Sequence, residues 1–77
     1  MFYTYILELR NGKYYHGFCS DLTVRLKEHV HGKVQTTKNL NPKLVFYAAF
    51  KTKNRALNFE KYLKSSSGFA FRNKRLI

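Results

Sequence analysis

The stretch "FYTYILELRNGKYYHGF", residues 2–18, decides the fold. Its first half, "FYTYILEL", is rich in aromatic and β-branched residues and reads as a strand. Asn11-Gly12 then gives a strong hairpin signal, because tight hairpin turns need backbone that glycine and asparagine adopt easily. "KYYHGF" is the return strand. The length of the turn decides which side chains share a face, because successive residues of a strand point to opposite sides. A two-residue loop, Asn11-Gly12, sets Arg10 against Lys13 and sends Tyr5 and Tyr15 to opposite faces. A three-residue loop, Arg10-Asn11-Gly12 with Gly12 left-handed, sets Leu9 against Lys13 and puts both tyrosines on one face. A joint site built on Tyr5 and Tyr15 requires the second arrangement. Packing alone also explains tyrosines in strands.

Beyond the hairpin, Ser20 is a good helix N-cap and Asp21 suits the positive end of a helix dipole. "LTVRLKEHV" continues as a helix, with Leu22, Leu26 and Val30 as its apolar stripe and Gly32 as its stop. "KVQTTKNLNP" reads as a polar, basic loop. "KLVFYAAF" is a third strand, apolar almost throughout, which places it centrally and covered on at least one face. "TKNRALNFEKYLKS" is a second helix, capped by Thr52 or Asn54. "SSSG" punctuates, and "FAFRNKRLI" reads as a last helical turn docked on the core. The expectation is an α+β fold in one domain over residues 1–77. It has a small three-stranded, mainly antiparallel sheet flanked by helices, in the order β-β-α-β-α plus a C-terminal basic segment.

Fifteen Lys and Arg oppose four Asp and Glu, for a formal charge of +11. Such a field attracts polyanions, with nucleic acid first and an anionic membrane second. No apolar run is long enough to span a bilayer. The N-terminus lacks the basic region and small-residue cleavage site of a signal peptide. A single cysteine, Cys19, forms no internal disulfide and suits a reducing cytoplasm. The expected location is cytoplasmic.

Three positions carry chemistry. At about 100° per residue, Ala56, Leu57, Phe59, Glu60 and Leu63 share one arc of the second helix, so its one carboxylate sits in its apolar face. A salt bridge to a neighbouring cation or a position at the rim would explain it structurally. A ligand for a hard divalent cation would explain it functionally, since Mg²⁺ often takes only one or two carboxylates besides water and phosphate. Arg25 and His29, four apart, stack on one side of the first helix beside its apolar stripe. An ordinary amphipathic helix has such flanks. An arginine there could also clamp a phosphate, and a histidine could hold or pass a proton near neutral pH.

Tyr3-Thr4-Tyr5, then Tyr15-His16-Gly17, then Arg25-x-x-x-His29, then Glu60, resembles the GIY-YIG endonuclease domain over most of the chain. The ten-residue separation of the two tyrosine motifs, followed by the Arg-His helix and a later helical glutamate, carries the resemblance. It is similar above all to small stand-alone bacterial members and to the incision domain of the excision-repair nuclease. Tyr3 replaces the first glycine of the motif, and His16 replaces its middle isoleucine. Cys19 stands where a hydroxyl residue is common, and carries no role.

The resemblance implies a metal-dependent endonuclease that hydrolyses DNA phosphodiester bonds in repair or recombination. Glu60 would hold one divalent metal, Mg²⁺ or alternatively Mn²⁺. Arg25 would contact the phosphate. Tyr5 would orient or deprotonate the attacking water, with Tyr15 and His29 assisting. Free tyrosine titrates near about pH 10, so a tyrosine base needs cations or metal to lower it, and Arg25 is placed to do so. Asn73 lies in about the region where family members carry an asparagine, and reads as a surface residue. Lys33, Lys38, Lys43, Arg72, Lys74 and Arg75 would attract the DNA backbone without reading its sequence. The competing expectations are a non-catalytic nucleic-acid-binding module that kept the fold and a protein adaptor within a larger repair assembly.

Overall fold

The chain runs β1 (Phe2–Glu8), β2 (Tyr14–Cys19), α1 (Leu22–Val30), β3 (Lys43–Phe50), α2 (Lys53–Lys64) and α3 (Ser66–Arg75), with a 3₁₀ turn at Gln35–Thr37. The computed structural model describes all of residues 1–77. The hairpin takes the longer of its two possible turns. Leu9 N donates to Lys13 O and Gly12 N to Leu9 O, each at 2.9 Å. Gly12 has φ +83°, the left-handed conformation that glycine adopts without steric penalty. The register therefore sets Leu7 against Tyr15 and Tyr5 against Gly17, and Tyr5 and Tyr15 lie on one face.

The sheet is antiparallel throughout, in the order β2-β1-β3. The central strand is β1, not β3 as the apolar run "KLVFYAAF" suggested. Thr4, Tyr5, Ile6 and Leu7 are all buried, whereas Leu44, Val45 and Tyr47 of β3 are exposed by 38%, 38% and 53%. An apolar run identifies a strand but does not rank it within a sheet. Only one face of β3 is covered, where Phe46 and Phe50 meet Phe59 of α2.

The two faces of β1 carry different helices. Tyr5, Leu7 and Leu9, with Cys19 of β2, form the core against which Leu22 and Leu26 of α1 pack. On the other face the Thr4 hydroxyl donates to Ala56 O of α2 at 2.6 Å, and His16 of β2 meets Arg72 of α3. Helix α1 thus covers one side of the sheet, and α2 with α3 covers the other.

Three local expectations change. Asp21, not Ser20, caps α1 by accepting from Val24 N at 3.1 Å. Val30 is 67% exposed, and His29 is buried in its place. The helical period explains the exchange: at about 100° per residue, His29 falls within about 20° of Leu22, whereas Val30 lies about 80° away. Gly32, at φ +72°, does follow the end of α1. The "SSSG" segment is a helix junction rather than a break, and the tail forms a full helix. The Ser65 side chain caps α3 by accepting from Gly68 N at 3.1 Å, while its own hydroxyl donates back to Tyr62 O at 2.6 Å. A side chain at Gly68 would overlap the Tyr62 carbonyl, so glycine permits this tight corner. Thr52 caps α2 by accepting from Arg55 N at 3.2 Å.

Candidate functional site

Four of the five candidate catalytic side chains meet on the α1 side of the sheet. The rings of Tyr5 and Tyr15 lie 6.3 Å apart. His29 stands edge-on to both, at 5.6 Å from Tyr5 and 5.1 Å from Tyr15. The Tyr5 hydroxyl lies 2.8 Å from His29 Nε2 and accepts from Arg25 Nε at 3.4 Å. Gly17 leaves room for this arrangement, because a Cβ there would overlap the tip of the Tyr5 ring.

Hydrogen-bond accounting fixes the histidine tautomer. His29 Nδ1 lies 2.7 Å from the Thr37 hydroxyl, which itself donates to Val34 O at 3.4 Å. The Thr37 proton is therefore engaged, and Nδ1–H donates to the Thr37 oxygen. Nε2 is left with a lone pair and accepts from the Tyr5 hydroxyl. The same answer follows from the other end. The Tyr5 proton needs an acceptor, and Arg25 can only donate. A directed chain runs from Arg25 to Tyr5, His29, Thr37 and the backbone at Val34. Thr37 is fully buried, and it was absent from the expected set. Only the pairing of a histidine with a hydroxyl residue in the following loop could have signalled it, and that pattern is common in loops.

Burial dominates the electrostatics. Tyr5 is 0% exposed and His29 1%. Burial pushes the Tyr5 phenol up to about 12, and the Arg25 hydrogen bond offsets this only in part. Arg25 by itself does not bring Tyr5 below its ordinary value: desolvation of the phenolate outweighs one cation. Burial, then the charge of Arg25, lowers His29, so its imidazole stays neutral near pH 7. Arg25 is pushed up, first by its hydrogen bond to Tyr5. Cys19 is buried, and burial raises its thiol, which suits an inert core residue.

Tyr5 and His29, at 0% and 1% exposed, cannot touch a substrate in this conformation, so exposure divides the cluster. Tyr5, placed by the expectation against the attacking water, is enclosed together with His29. Tyr15 is half-buried. Its hydroxyl is bonded to no protein group and is not buried without a partner, so it faces solvent. The Arg25 side chain is 36% exposed, and Nη1 reaches Glu28 Oε1 at 3.2 Å. That exposed pair is weak and can yield to a phosphate.

Glu60 stands apart from the four. It lies on α2, the helix that packs against the other side of the sheet. Its side chain is 19% exposed, and Oε2 pairs with Lys64 Nζ at 3.5 Å. No three His, Cys, Asp or Glu side chains converge as a ready-made metal cage. Glu60 fits a hard cation that takes most of its ligands from water and phosphate, as Mg²⁺ does, and does not fit a closed structural site.

The six candidate DNA-contacting cations come from two separate regions of the chain. Lys33 and Lys38 lie in the loop after α1 and Lys43 opens β3, all exposed. Lys74 and Arg75 are exposed at the end of α3. Arg72 is only 6% exposed and lies beneath that surface. Asn73 is exposed, and its Oδ1 accepts from Arg72 Nε and Nη2 at 3.2 and 2.8 Å. No helix is long and apolar enough to cross a membrane.

Comparison with known proteins supplies a lineage for this arrangement. The family model described as the GIY-YIG catalytic domain matches residues 1–75. A UPF0213 protein of Streptococcus pneumoniae is 39% identical over 64 residues, which span 80% of this chain and 65% of that protein. The UPF0213 protein BH0048 of Halalkalibacterium halodurans is 37% identical over 67 residues, 84% of this chain and 71% of that one. The chain thus spans about two thirds of the length of these relatives. A solution NMR structure of the UPF0213 protein BH0048 from Bacillus halodurans superposes with a TM-score of 0.61 at 30% identity, covering 99% of this chain and 87% of that one.

Proposed function

Because this chain belongs to the GIY-YIG catalytic domain family, we propose that it is a metal-dependent endonuclease hydrolysing phosphodiester bonds in DNA, with a place in repair or recombination. One observation carries the reading. Two groups suited to a phosphate, the Tyr15 hydroxyl and the Arg25 guanidinium, remain open to solvent above an enclosed Tyr5–His29–Thr37 chain that holds Arg25 from beneath.

Arg25 leaves Glu28 and clamps the scissile phosphate. It offsets the negative charge that develops as water attacks phosphorus. Tyr15 orients that water through its hydroxyl. Tyr5 fixes the Arg25 side chain through its oxygen and, through its proton, orients His29. Thr37 holds the opposite face of the imidazole. Glu60, on the α2 side of the sheet, would hold the divalent ion, which when bound supplies Lewis acidity and charge stabilisation to a phosphate that reaches that side.

The test incubates the wild type, Glu60→Gln and Arg25→Ala with labelled single-stranded, duplex, nicked and branched DNA, with and without Mg²⁺ or Mn²⁺. The expected result is metal-dependent nicking by the wild type, lost in both variants while circular dichroism stays unchanged. Robust cleavage by both variants overturns the reading. Salt-sensitive binding without cleavage under either metal would favour a non-catalytic nucleic-acid-binding module. Capture of a protein partner that survives nuclease and high salt would favour an adaptor.

A further inference from the structure

A second cluster of charge lies across the sheet from the candidate site. A groove of about 500 Å³ runs between β2 and α3, lined among others by Lys13, Tyr14, His16, Lys64, Phe69 and Arg72. No Asp or Glu lines it. Arg72 is the unusual member. It is 6% exposed, yet the chain's two ion pairs are Arg25–Glu28 and Lys64–Glu60, and neither involves it. A buried cation without a counter-charge is costly. Arg72 is instead sandwiched, its guanidinium carbon 4.4 Å from the centre of the Phe69 ring and 4.9 Å from that of Tyr14. Nε and Nη2 donate to Asn73 Oδ1, and Nη1 lies 3.3 Å from His16 Nε2.

These contacts orient the guanidinium without neutralising it. Nη1 can only donate, so His16 Nε2 accepts and the imidazole is neutral. Burial, then Arg72 and Lys64, lowers the His16 pKa in agreement. Each terminal nitrogen carries a second N–H beyond the bond described, and the planar guanidinium lines the groove with those donors still to be used. Lys13 and Lys64 add two more cations. The Lys64–Glu60 pair, at 3.5 Å with the lysine side chain 56% exposed, binds its charge only weakly. Glu8 meets the groove only at the Tyr14 hydroxyl, at 3.5 Å. A planar guanidinium with unused donors and two flexible ammonium groups around an acid-free groove match the tetrahedral oxygens of a phosphate.

We propose that this groove binds a phosphate group, supplied by a phosphodiester of the same nucleic-acid strand that is cut at Arg25. This rests on the nuclease reading above. Position supports the strand as the source. Alternate residues of β2 face the two sites, Tyr14 and His16 toward the groove and Tyr15 and Gly17 toward the candidate catalytic cluster. Since β2 is an edge strand, a polyanion can pass over its rim and engage both.

The test follows the Arg72 Nε–H and His16 ring signals by NMR during titration with inorganic phosphate, a twelve-nucleotide single-stranded DNA, and poly-glutamate. The expected result is saturable movement of both signals, at far lower concentration with DNA than with phosphate, and none with poly-glutamate. Lys13→Ala, an exposed change, should flatten the dependence of log affinity on log salt by about 0.7, which is about fivefold weaker binding at 0.1 M salt. Arg72→Lys should also weaken DNA binding, because it keeps the charge and loses the planar guanidinium donors. A urea midpoint on each variant confirms folding. Unmoved signals, an unchanged salt slope in Lys13→Ala, inorganic phosphate binding as tightly as DNA, or an equal response to poly-glutamate each overturn the proposal. Failure of the nuclease reading looks different: the Arg72 signals move and the slope changes, but the wild type cleaves nothing.

Discussion

Replacing Gly17 by alanine tests the candidate site more sharply than replacing any of its polar groups. The added Cβ would occupy the space of Tyr5 Cζ and Oη and stand 2.8 Å from Cε1. Carbon atoms prefer about 3.5–4.0 Å, so the ring tip must retreat by more than about 1 Å. It has nowhere free to go: Tyr5 is 0% exposed and holds His29 at 2.8 Å. Overpacking of this kind destabilises by about 1–3 kcal/mol. Pulling the buried hydroxyl from Nε2 adds about 1–3 kcal/mol for polar groups left unpaired. A chain of this size has roughly 4–12 kcal/mol in total, so the variant should fold, with a large part of its margin gone. Any nicking activity should fall by about a hundredfold, because Arg25 is held through the displaced oxygen and a 1 Å misplacement can have that effect. Urea unfolding by circular dichroism gives the first number, and initial nicking rates under conditions where the variant is folded give the second. Gly12→Ala is the comparison, since no atom lies within 4 Å of a Cβ there and only the φ of +83° opposes it. It should cost about 1–2 kcal/mol of backbone strain alone. If Gly17→Ala unfolds within about 0.5 kcal/mol of the wild type, the tyrosine does not occupy that space and the account of the site fails.

Thr37→Val should destabilise by about 1–3 kcal/mol by orphaning His29 Nδ1–H, and Thr37→Ser should restore most of it. Because the Tyr5 proton still requires Nε2 as its acceptor, the nitrogen shifts of the His29 ring should report the Nδ1–H tautomer in both variants, and the opposite tautomer in either would contradict the directed chain. Two histidines with lowered folded-state pKa values, His16 and His29, set the acid side of stability. The unfolded chain binds more protons below its ordinary value near about 6.5, so stability is full above that pH and is lost as pH falls below it. A urea midpoint flat from pH 7.5 to 5 would refute this. At the alkaline end the sign reverses. Tyr5 titrates at about 12 when folded, so its contribution is present below about pH 10 and is lost as pH rises through 12. Tyr5→Phe should remove that part of the alkaline loss, visible as a shallower fall of the urea midpoint above pH 10.

What the sequence could and could not reveal follows from the range of each interaction. The hairpin was legible up to one branch, because Asn11-Gly12 fixes a turn but not whether Arg10 belongs to it. The left-handed Gly12 settles that branch and brings Tyr15 beside Tyr5. Arg25 and His29 were legible as a pair because four residues along a helix are always neighbours. Their depth was not, since it depends on where α1 rests on the sheet. Placing the apolar stripe on Val30 sent His29 to the flank, whereas the true period buries it. The rank of β3 was illegible for a similar reason: Leu44, Val45 and Tyr47 look like core, and nothing local reports that α1 leaves them uncovered. Arg72 was counted with the surface cations because only the α2–α3 corner, built on Gly68, turns it inward.

The division of labour among the tyrosines depends on that depth. From the motif alone, Tyr5 is the leading candidate for a base, with Tyr15 assisting, and Arg25 looks placed to activate it. Burial separates them. A phenol at about 12 beside a histidine held below its ordinary value keeps its proton on oxygen, and moving that proton to Nε2 is uphill. Tyr5 thus behaves as a fixed hydrogen-bond hub, donating to His29 and accepting from Arg25. Tyr15 differs in place: its hydroxyl makes no hydrogen bond to the protein and is reached by solvent. If that assignment is right, Tyr15→Phe should abolish nicking with little change in the urea midpoint, whereas Tyr5→Phe should lower both. Equal loss of stability in the two variants would remove the distinction between hub and solvent-facing group on which the mechanism rests.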